Sequence, residues 1–577
     1  MSYSFRAIAL DYDGTLTEGG RPKKHVLDAL TRARAEERKL VLVTGRILNE
    51  LRSDFPDVSD FFDAIVAENG AVLHNASGTR LLCRPLPPQL CAALVKRGVP
   101  SRSGQVLLAS QAIHASTILE EIGRLGLECE LIRNRGELMV LPMGISKGTG
   151  LYEALGDLGI SRHSTIGIGD GENDHSLLEA CEVGVAVGNA IDALKGRADV
   201  VLSQNAGDGV AALLSGPLVR GEVSVQSKRW RVPLGEFEDG ATVEVPASGV
   251  NVLISGGSGS GKSYLAGMFA ERLIKLGYSL VLLDPEGDHA SLGRIRGVLV
   301  VGGNYPLPDP SRINALVHHR FGSVVVDLSH LQAAERVTYS RDALMALRRQ
   351  RTETGLPHWI FFDEAHSLVG ASSLARDAYD PSQKGCCLVT YHPEELDEKA
   401  LNNTDYFFFP LGNEQADRLK EVLKVAGVNE VDPAWTNACS GRGRALRVAS
   451  RGQKPELFRL GLRSSQHVRH WHKYIAEQLP PHHHFIFRDD RSDVGRSAGN
   501  VAEFHHELLQ VSDAVISHHA VRSDFSRWVR EVLQDRDLAD EIARAERELP
   551  RGAGAVRVAV LQAVESRYQD KALMPAV

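Results

Sequence analysis

Residues 5–16 read FRAIALDYDGTL, an apolar run that ends in two carboxylates, Asp11 and Asp13, and a glycine. Short apolar runs bounded by Asp and Gly are the pattern of buried strands leading into loops. Two acids two residues apart at the end of such a strand can both face a site beyond the sheet. One can attack phosphorus to form an acyl phosphate, and the other can protonate the leaving oxygen and later activate water. Alone, D-x-D-G is also the pattern of a tight turn or a calcium-like loop, so the reading turns on the sequence downstream of it.

Downstream lies a succession of apolar runs, LVLVTG, AIVAENGAVL, STIGIGD, VGVAVG and DVVLS, separated by helical stretches such as Lys24 to Lys39. The alternation predicts an α/β unit with a mainly parallel sheet over residues 5–208. Three pieces at strand ends or helix starts suit a phosphoryl group. They are the Thr44 hydroxyl in LVLVTGR, the Lys147 ammonium in PMGISKG, and Asp170, Asn173 and Asp174 in GIGDGENDHSLL. With DYDGTL they make four elements in the order that aspartate-based phosphate chemistry requires. Between Leu73 and Lys147 the pattern shifts to RLLCRPLPP, HASTILEEIGRLG, ECELIRN and GELMVLPM, which predicts a small α+β lid over residues 74–145.

The Gly/Pro/Ser-containing stretch SGPLVRGEVSV at 215–225 marks a boundary, and strand-like KRWRVPL and ATVEVPA fall within or beside 221–246. Then NVLISGGSGSGKSYLAGMFAERL sets an apolar strand, a G-x-x-x-x-G-K-S loop and an amphipathic helix in succession. Gly256, Gly257, Gly259 and Gly261 bring backbone amides to phosphate at a helix start, Lys262 reaches the β/γ oxygens, Ser263 serves magnesium, and Tyr264 comes next in the same motif. Farther on, HWIFFDEAH ends a strand with Asp363 and Glu364, a magnesium-supporting carboxylate and a water-activating base. SLVLLD, SVVVDLS, CCLVTY and DYFFFPL complete a doubly wound sheet of five or six strands ending near Leu462. ATP and Mg2+ are the cofactors this pattern calls for.

At DYDGTL, LVLVTGR, PMGISKG and GIGDGENDHSLL, with AENGAVL at 67–73, the chain resembles the haloacid dehalogenase superfamily over residues 1–215, in particular its Cof-like branch and archaeal phosphoglycolate phosphatases. The resemblance implies a Rossmann-like core with a small α+β cap, Asp11 as nucleophile and Asp13 as general acid/base. It implies that Thr44 orients and Lys147 neutralises the phosphoryl group. Magnesium would lie between Asp11, the backbone carbonyl of Asp13, and Asp170, with Asn173 and Asp174 supporting.

GGSGSGKSY, LVLLDPEGDH, SVVVDLSHL, IFFDEAHSLV and LVTYHPEEL resemble the HerA/FtsK group of ATPases, on the HerA side, over residues 245–462. This resemblance implies a homo-oligomer, a hexameric ring in that group, with nucleotide at subunit interfaces and His392 near the place of a polar sensor. A neighbouring subunit would supply an arginine finger, for which Arg442 and Arg444 are candidates. The β-barrel usual before the P-loop is reduced here to the strands of 221–246. LVTYHP stands where a DEAH helicase carries its Ser-Ala-Thr segment.

The net charge of -7 and pI near 6.4 show no global attraction to nucleic acid, so DNA contact would need a local site such as KRWR at 228–231. Seven scattered cysteines without a C-x-x-C pair argue against a disulfide framework or zinc ribbon, and no long uncharged apolar run predicts a membrane span. A cytoplasmic setting is expected. Residues 463–577 read as a mainly helical accessory domain. It holds His467, His470, His472, His482, His483, His484, His505, His506, His518 and His519, whose spacings favour docking or oligomer capping over a structural zinc.

The expectation is three units, 1–215, 216–462 and 463–577, forming a bifunctional magnesium-dependent hydrolase. A phosphatase for a sugar phosphate, phosphoglycolate or nucleotide would be coupled to an oligomerising ATPase. The alternatives are a ring-shaped DNA-processing motor with an end-trimming phosphatase, and an ATP-assembled scaffold.

Overall fold

The computed structural model describes residues 5–134, 136–257, 260–303, 305–318, 321–411, 416–438, 443–465, 479, 481–489, 493–533 and 535–568. The first unit is built on the strands β1 (Ala7–Leu10), β2 (Lys39–Val43), β3 (Ala64–Ala67), β4 (Val72–Asn75), β5 (Gly78–Leu81), β10 (Thr165–Gly169), β11 (Val183–Ala186) and β12 (Val200–Val201). They form an eight-stranded sheet in the order β12-β11-β10-β1-β2-β3-β4-β5. Six pair in parallel, and every residue of β1, β3, β10 and β11 is buried. That is why these segments read as unbroken apolar runs: a parallel sheet covered on both faces has no polar side. The β4–β5 hairpin pairs antiparallel onto β3, so residues 72–81 extend the core sheet.

The cap carries its own sheet, β6 (Ser101–Ser103), β7 (Leu108–Gln111), β8 (Cys129–Asn134) and β9 (Glu137–Pro142), in the order β6-β7-β9-β8. Strand alternation gives this sheet two apolar faces. Leu108, Leu138 and Val140 pack with Leu90, Leu94 and Ile118 into a cap core, whereas Ala109, Met139 and Leu141 join the core of the main sheet.

The strands of the second unit are β13 (Arg231–Phe237), β14 (Thr242–Pro246), β15 (Val252–Ser255), β16 (Leu280–Asp284), β17 (Val298–Gly302), β18 (Ser323–Asp327), β19 (Trp359–Phe362), β20 (Cys386–Thr390), β21 (Tyr406–Leu411), β22 (Arg444–Val448) and β23 (Glu456–Leu460). They form an 11-stranded sheet in the order β14-β13-β23-β22-β21-β15-β20-β19-β16-β18-β17. The run from β21 to β17 is parallel, and β22, β23, β13 and β14 add an antiparallel edge. The strands of 221–246 are therefore a continuation of this sheet, because β13 pairs with β23.

Beyond it, β24 (Phe485–Arg488) and β25 (Asp493–Ala498) form a hairpin against the helices Val501–Gln510, Asp513–Val521, Arg536–Glu546 and Ala553–Tyr568, around Phe485, Phe504, Phe525 and Trp528. His467, His470 and His472 lie outside the described residues. Among the described residues no helix is long and apolar enough to cross a membrane.

The two large sheets meet at their N-terminal ends. His163 stands just before β10 and Glu182 just before β11; Tyr278 stands just before β16 and His358 just before β19. Glu182 accepts bonds from the Tyr278 hydroxyl (2.7 Å) and the Ser248 hydroxyl, and pairs with His163 Nδ1 (2.7 Å). The His163 and Tyr278 rings stack at 3.7 Å, and Trp230 Nε1 donates to the Cys181 carbonyl at 3.0 Å. A carboxylate buried between two sheets is costly unless it is bonded, and here three side chains from both units converge on Glu182.

Candidate active sites

In the first unit, the C-terminal ends of β1, β2 and β10 and the start of the helix Lys147–Leu158 converge. Asp11 follows β1, Thr44 follows β2 and Asp170 follows β10, all three buried. Lys147, 1% exposed, donates to both Asp11 Oδ1 and Asp174 Oδ1. Asp174 Oδ2 in turn accepts the Asp170 and Gly171 amides at 2.9 Å, and Thr15 donates to Asp170 at 3.1 Å. One oxygen from each of Asp11, Asp170 and Asp174 lies within 4.8 Å of the others.

Burial, reinforced by the neighbouring Asp174, pushes the Asp11 carboxyl well above its usual range. Burial alone would discharge Lys147, yet Asp11 and Asp174 outweigh it and hold the ammonium charged. Three carboxylates against one ammonium leave an excess of negative charge in a dry site. A hard divalent cation with oxygen ligands relieves that excess, so the donor set fits magnesium.

Two expected residues stand to one side of this cluster. The two oxygens of Asp13 are gripped by Arg46 Nη2 and Nε, each at 2.7 Å. Asn173 donates to Asn69 Oδ1 at 3.1 Å, while its own amide oxygen is buried without a hydrogen-bond partner.

Sequence reasoning missed Arg46, although it closes the same TGR triplet as Thr44, and it missed Glu68. The Glu68 carboxylate accepts the amides of Gln105 (2.9 Å), Val106 (2.8 Å) and Leu107 (3.1 Å), which fixes a cap loop to the core. A side chain on Gly104 would strike that carboxylate at 2.5 Å. Glu68 and Asn69 both hold φ near +50°, a left-handed conformation that costs energy in non-glycine residues and is retained where the surroundings enforce it.

In the second unit the glycine-rich loop leaves β15 and enters the helix Lys262–Lys275, with Gly261 at φ 108° as the turn demands. Gly256, Gly257, Ser263 and Tyr264 are described; Gly259 lies outside the described residues. Lys262 Nζ donates to the Gly257 carbonyl at 2.9 Å. β20 is inserted between β15 and β19, so Thr390 stands between the loop and Asp363–Glu364. Asp363 is buried. Although burial raises its carboxyl, His289 (3.3 Å) and the nearby Lys262 charge bring it below the usual range. Glu364 adopts φ 45°, and burial, then Asp363, push its carboxyl up to about 7.

His392 is partly exposed and pairs with Glu394 at 3.1 Å. It is Thr390 that ends the strand beside the loop, bonded to His366 Nδ1 at 3.0 Å. Arg442 lies outside the described residues, and Arg444 opens the antiparallel strand β22. In the tail, His518, His519 and Asp524 gather. However, His519 Nδ1 already pairs with Asp524 (2.8 Å) and Nε2 accepts the Arg488 amide (2.9 Å), which leaves that ring no free nitrogen.

A parallel sheet with acid-bearing loops at its C-terminal edge, Lys147 among the acids, and a cap on top define a phosphate-handling hydrolase. The family model of haloacid dehalogenase-like hydrolases matches residues 8–112 and 105–214, and the chain belongs to that family. Residues 242–351 match the central domain of helicase HerA, and residues 483–577 match a family of unknown function. Among individual proteins, the chain is similar to the phosphoglycolate phosphatase of Methanothermobacter thermautotrophicus, 30% identical over 216 residues covering 36% of this chain and 96% of that one. A phosphoglycolate phosphatase of Nitrosopumilus maritimus is 31% identical over 224 residues, covering 36% and 94%. The pyridoxal phosphate phosphatase YbhA of Escherichia coli is 28% identical over 280 residues, covering 37% and 99%.

Proposed function

We propose that the chain is a bifunctional hydrolase in which a magnesium-dependent phosphatase for a small phosphoester is joined to an oligomerising ATPase. The observation that carries the first half is the convergence of Asp11, Asp170 and Asp174 on Lys147 in one buried site. In this reading Asp11 attacks phosphorus and the leaving oxygen departs with a proton from Asp13. Asp13 then takes a proton from water as that water attacks the acyl phosphate, releasing phosphate and restoring Asp11. Thr44 and Lys147 hold phosphoryl oxygens throughout. A magnesium ion held by Asp11, the backbone carbonyl of Asp13 and Asp170, with Asn173 and Asp174 supporting, would offset the charge of the phosphate. Phosphoglycolate, a sugar phosphate and a nucleotide are the substrate classes to test first, because the relatives act on small phosphorylated metabolites.

In the second half, Lys262 and the amides of the glycine-rich loop bind the ATP phosphates, Ser263 and Asp363 support magnesium, and Glu364 takes a proton from the attacking water. Assembly as a ring, cytoplasmic action and coupling between the two reactions belong to the same reading. A screen of phosphorylated metabolites, nucleotides and DNA ends, with and without ATP, tests it using Asp11→Asn and Lys262→Ala. Phosphate release that survives Asp11→Asn sinks the phosphatase assignment. A phosphatase rate and oligomer size indifferent to ATP and to Lys262→Ala sink the coupling. The HerA match over 242–351 favours one further reading, a DNA-handling motor, for which DNA-stimulated ATP turnover is the discriminating measurement.

A further inference from the structure

The chain leaving the second sheet is bound along the helix that carries the phosphate loop. In Lys262–Lys275, Tyr264, Gly267, Glu271 and Lys275 share one stripe at helical spacing, and residues 461–465 lie on it. The Tyr264 hydroxyl donates to the Gly461 carbonyl (3.2 Å) and accepts the Arg463 amide (2.8 Å). Glu271 accepts the amides of Ser464 (3.0 Å) and Ser465 (2.8 Å) and the Ser465 hydroxyl (2.9 Å), and Lys275 donates to the Ser464 hydroxyl at 2.7 Å. Burial raises the Glu271 carboxyl, but a bond from the Lys275 ammonium (2.8 Å) and those from Ser464 and Ser465 outweigh burial and hold the group down at about 2.

At the centre of this strap the Arg463 guanidinium reaches the Ser263 carbonyl (3.5 Å) and the Ser291 hydroxyl (3.4 Å). It fills the space a side chain at position 267 would need: a Cβ on Gly267 would stand 2.1 Å from Arg463 Nη1. Holding a half-buried guanidinium in one place costs solvation and side-chain freedom, which its hydrogen bonds offset, including one from Nε to the Ser465 hydroxyl at 2.8 Å. Here the cation is held against the first turn of the helix, the turn that carries Lys262 and Ser263.

We propose that Arg463 is a positioning residue of the nucleotide site, held in place by the strap of residues 461–465. The proposal rests on reading residues 256–263 as that site. Arg463 fixes the Ser263 carbonyl, keeps Lys262 and Ser263 in register, and adds a positive charge behind the turn that meets anionic phosphate. It touches no reacting atom.

The test is binding of a fluorescent ATP analogue and steady-state ATP turnover by the full chain carrying Arg463→Met, Arg463→Lys or Gly267→Ala. The Asp11-dependent phosphatase serves as the fold control. Arg463→Met is expected to raise Kd and KM about tenfold, the order of one charge-assisted hydrogen bond, with a much smaller change in kcat. Arg463→Lys recovers part of the affinity, Gly267→Ala reproduces the loss by displacing the guanidinium, and the phosphatase rate measured without ATP is unchanged in all three. Wild-type affinity in Arg463→Met or in Gly267→Ala overturns the proposal, as does a fall in kcat at constant KM, no gain from lysine, or a parallel loss of phosphatase. A wild-type chain that binds the analogue no better than Lys262→Ala instead sinks the nucleotide reading beneath it.

Discussion

Replacing Arg46 by alanine removes the fork that holds Asp13, and the consequence depends on the leaving group. Arg46 meets both Asp13 oxygens at 2.7 Å, pairs with Asp54, and lies over the Tyr12 ring at 4.9 Å, so the guanidinium is fixed from three sides. The Asp13 side chain is 43% exposed, and without the fork it swings into solvent. A positioned general acid is worth about 10²- to 10⁴-fold for an alkoxide leaving group. If the freed carboxyl finds its productive orientation in about a tenth to a hundredth of encounters, the barrier rises by about 1.4–2.7 kcal/mol. For an alkyl phosphate, kcat/KM should therefore fall about 10- to 100-fold. For p-nitrophenyl phosphate, whose phenolate leaves unprotonated, it should fall about threefold or less. kcat/KM is the right quantity, since it reports only steps up to formation of the aspartyl phosphate. In the Asp13→Asn background Arg46→Ala should add almost nothing. Equal losses on both substrates, or additive losses in the double variant, would show that Arg46 does not act through Asp13.

Asp11→Asn should lower phosphate release at least about 10³-fold while ADP production from ATP stays at the wild-type rate. Magnesium should raise the first unfolding transition of the wild-type chain in a thermal scan, and by much less in Asp170→Asn, because binding to the folded state alone stabilises it. ATP turnover should decline as pH falls through about 7, since burial raises Glu364 to that value and only its ionised form accepts a proton; Glu364→Gln should abolish turnover at every pH. Tyr278→Phe leaves Glu182 buried with one donor fewer. It should cost about 1–3 kcal/mol and speed proteolysis within residues 215–225, and an unchanged cleavage rate would mean the seam is not what holds the units together.

The central strands of both sheets were legible because they are buried on each face and end in chemistry, whereas the less buried β17, β22 and β23, part of the growth of the second sheet from the expected five or six strands to 11, were not. AIAL before Asp11, TIGIG before Asp170 and WIFF before Asp363 show burial and a functional loop in one local pattern. Residues whose meaning is set by a distant partner were not legible. Glu68 is an acid in AENG until the cap brings three amides to it, and His289 is one histidine among 22 until the adjacency of β16 and β19 sets it beside Asp363. The sequence does not show where β20 stops, and so does not fix which of the residues around His392 reaches the nucleotide site. β20 ends at Thr390, the Tyr391 ring lies 5.4 Å from Lys262 Nζ, and His392 pairs with Glu394 in the turn that follows. A shift of one or two residues at a strand end changes which side chain reaches a site, which patterning alone leaves undecided.

The junction between the sheets constrains any coupling between the two reactions. Asp11, Thr44 and Asp170 follow the C-terminal ends of β1, β2 and β10, and Lys262, Asp363 and Thr390 stand at the C-terminal ends of β15, β19 and β20. The contacts joining the units involve residues just ahead of the N-terminal ends of β10, β11, β16 and β19. The two candidate sites therefore lie at the strand ends away from the seam. An influence of ATP on the phosphatase has to travel through the strands to the seam of His163, Glu182, Tyr278 and His358, or between neighbouring chains of an oligomer. These routes are separable: Tyr278→Phe weakens the first and leaves the second intact, so ATP sensitivity that survives the loosened seam and vanishes on dilution to monomer belongs to assembly.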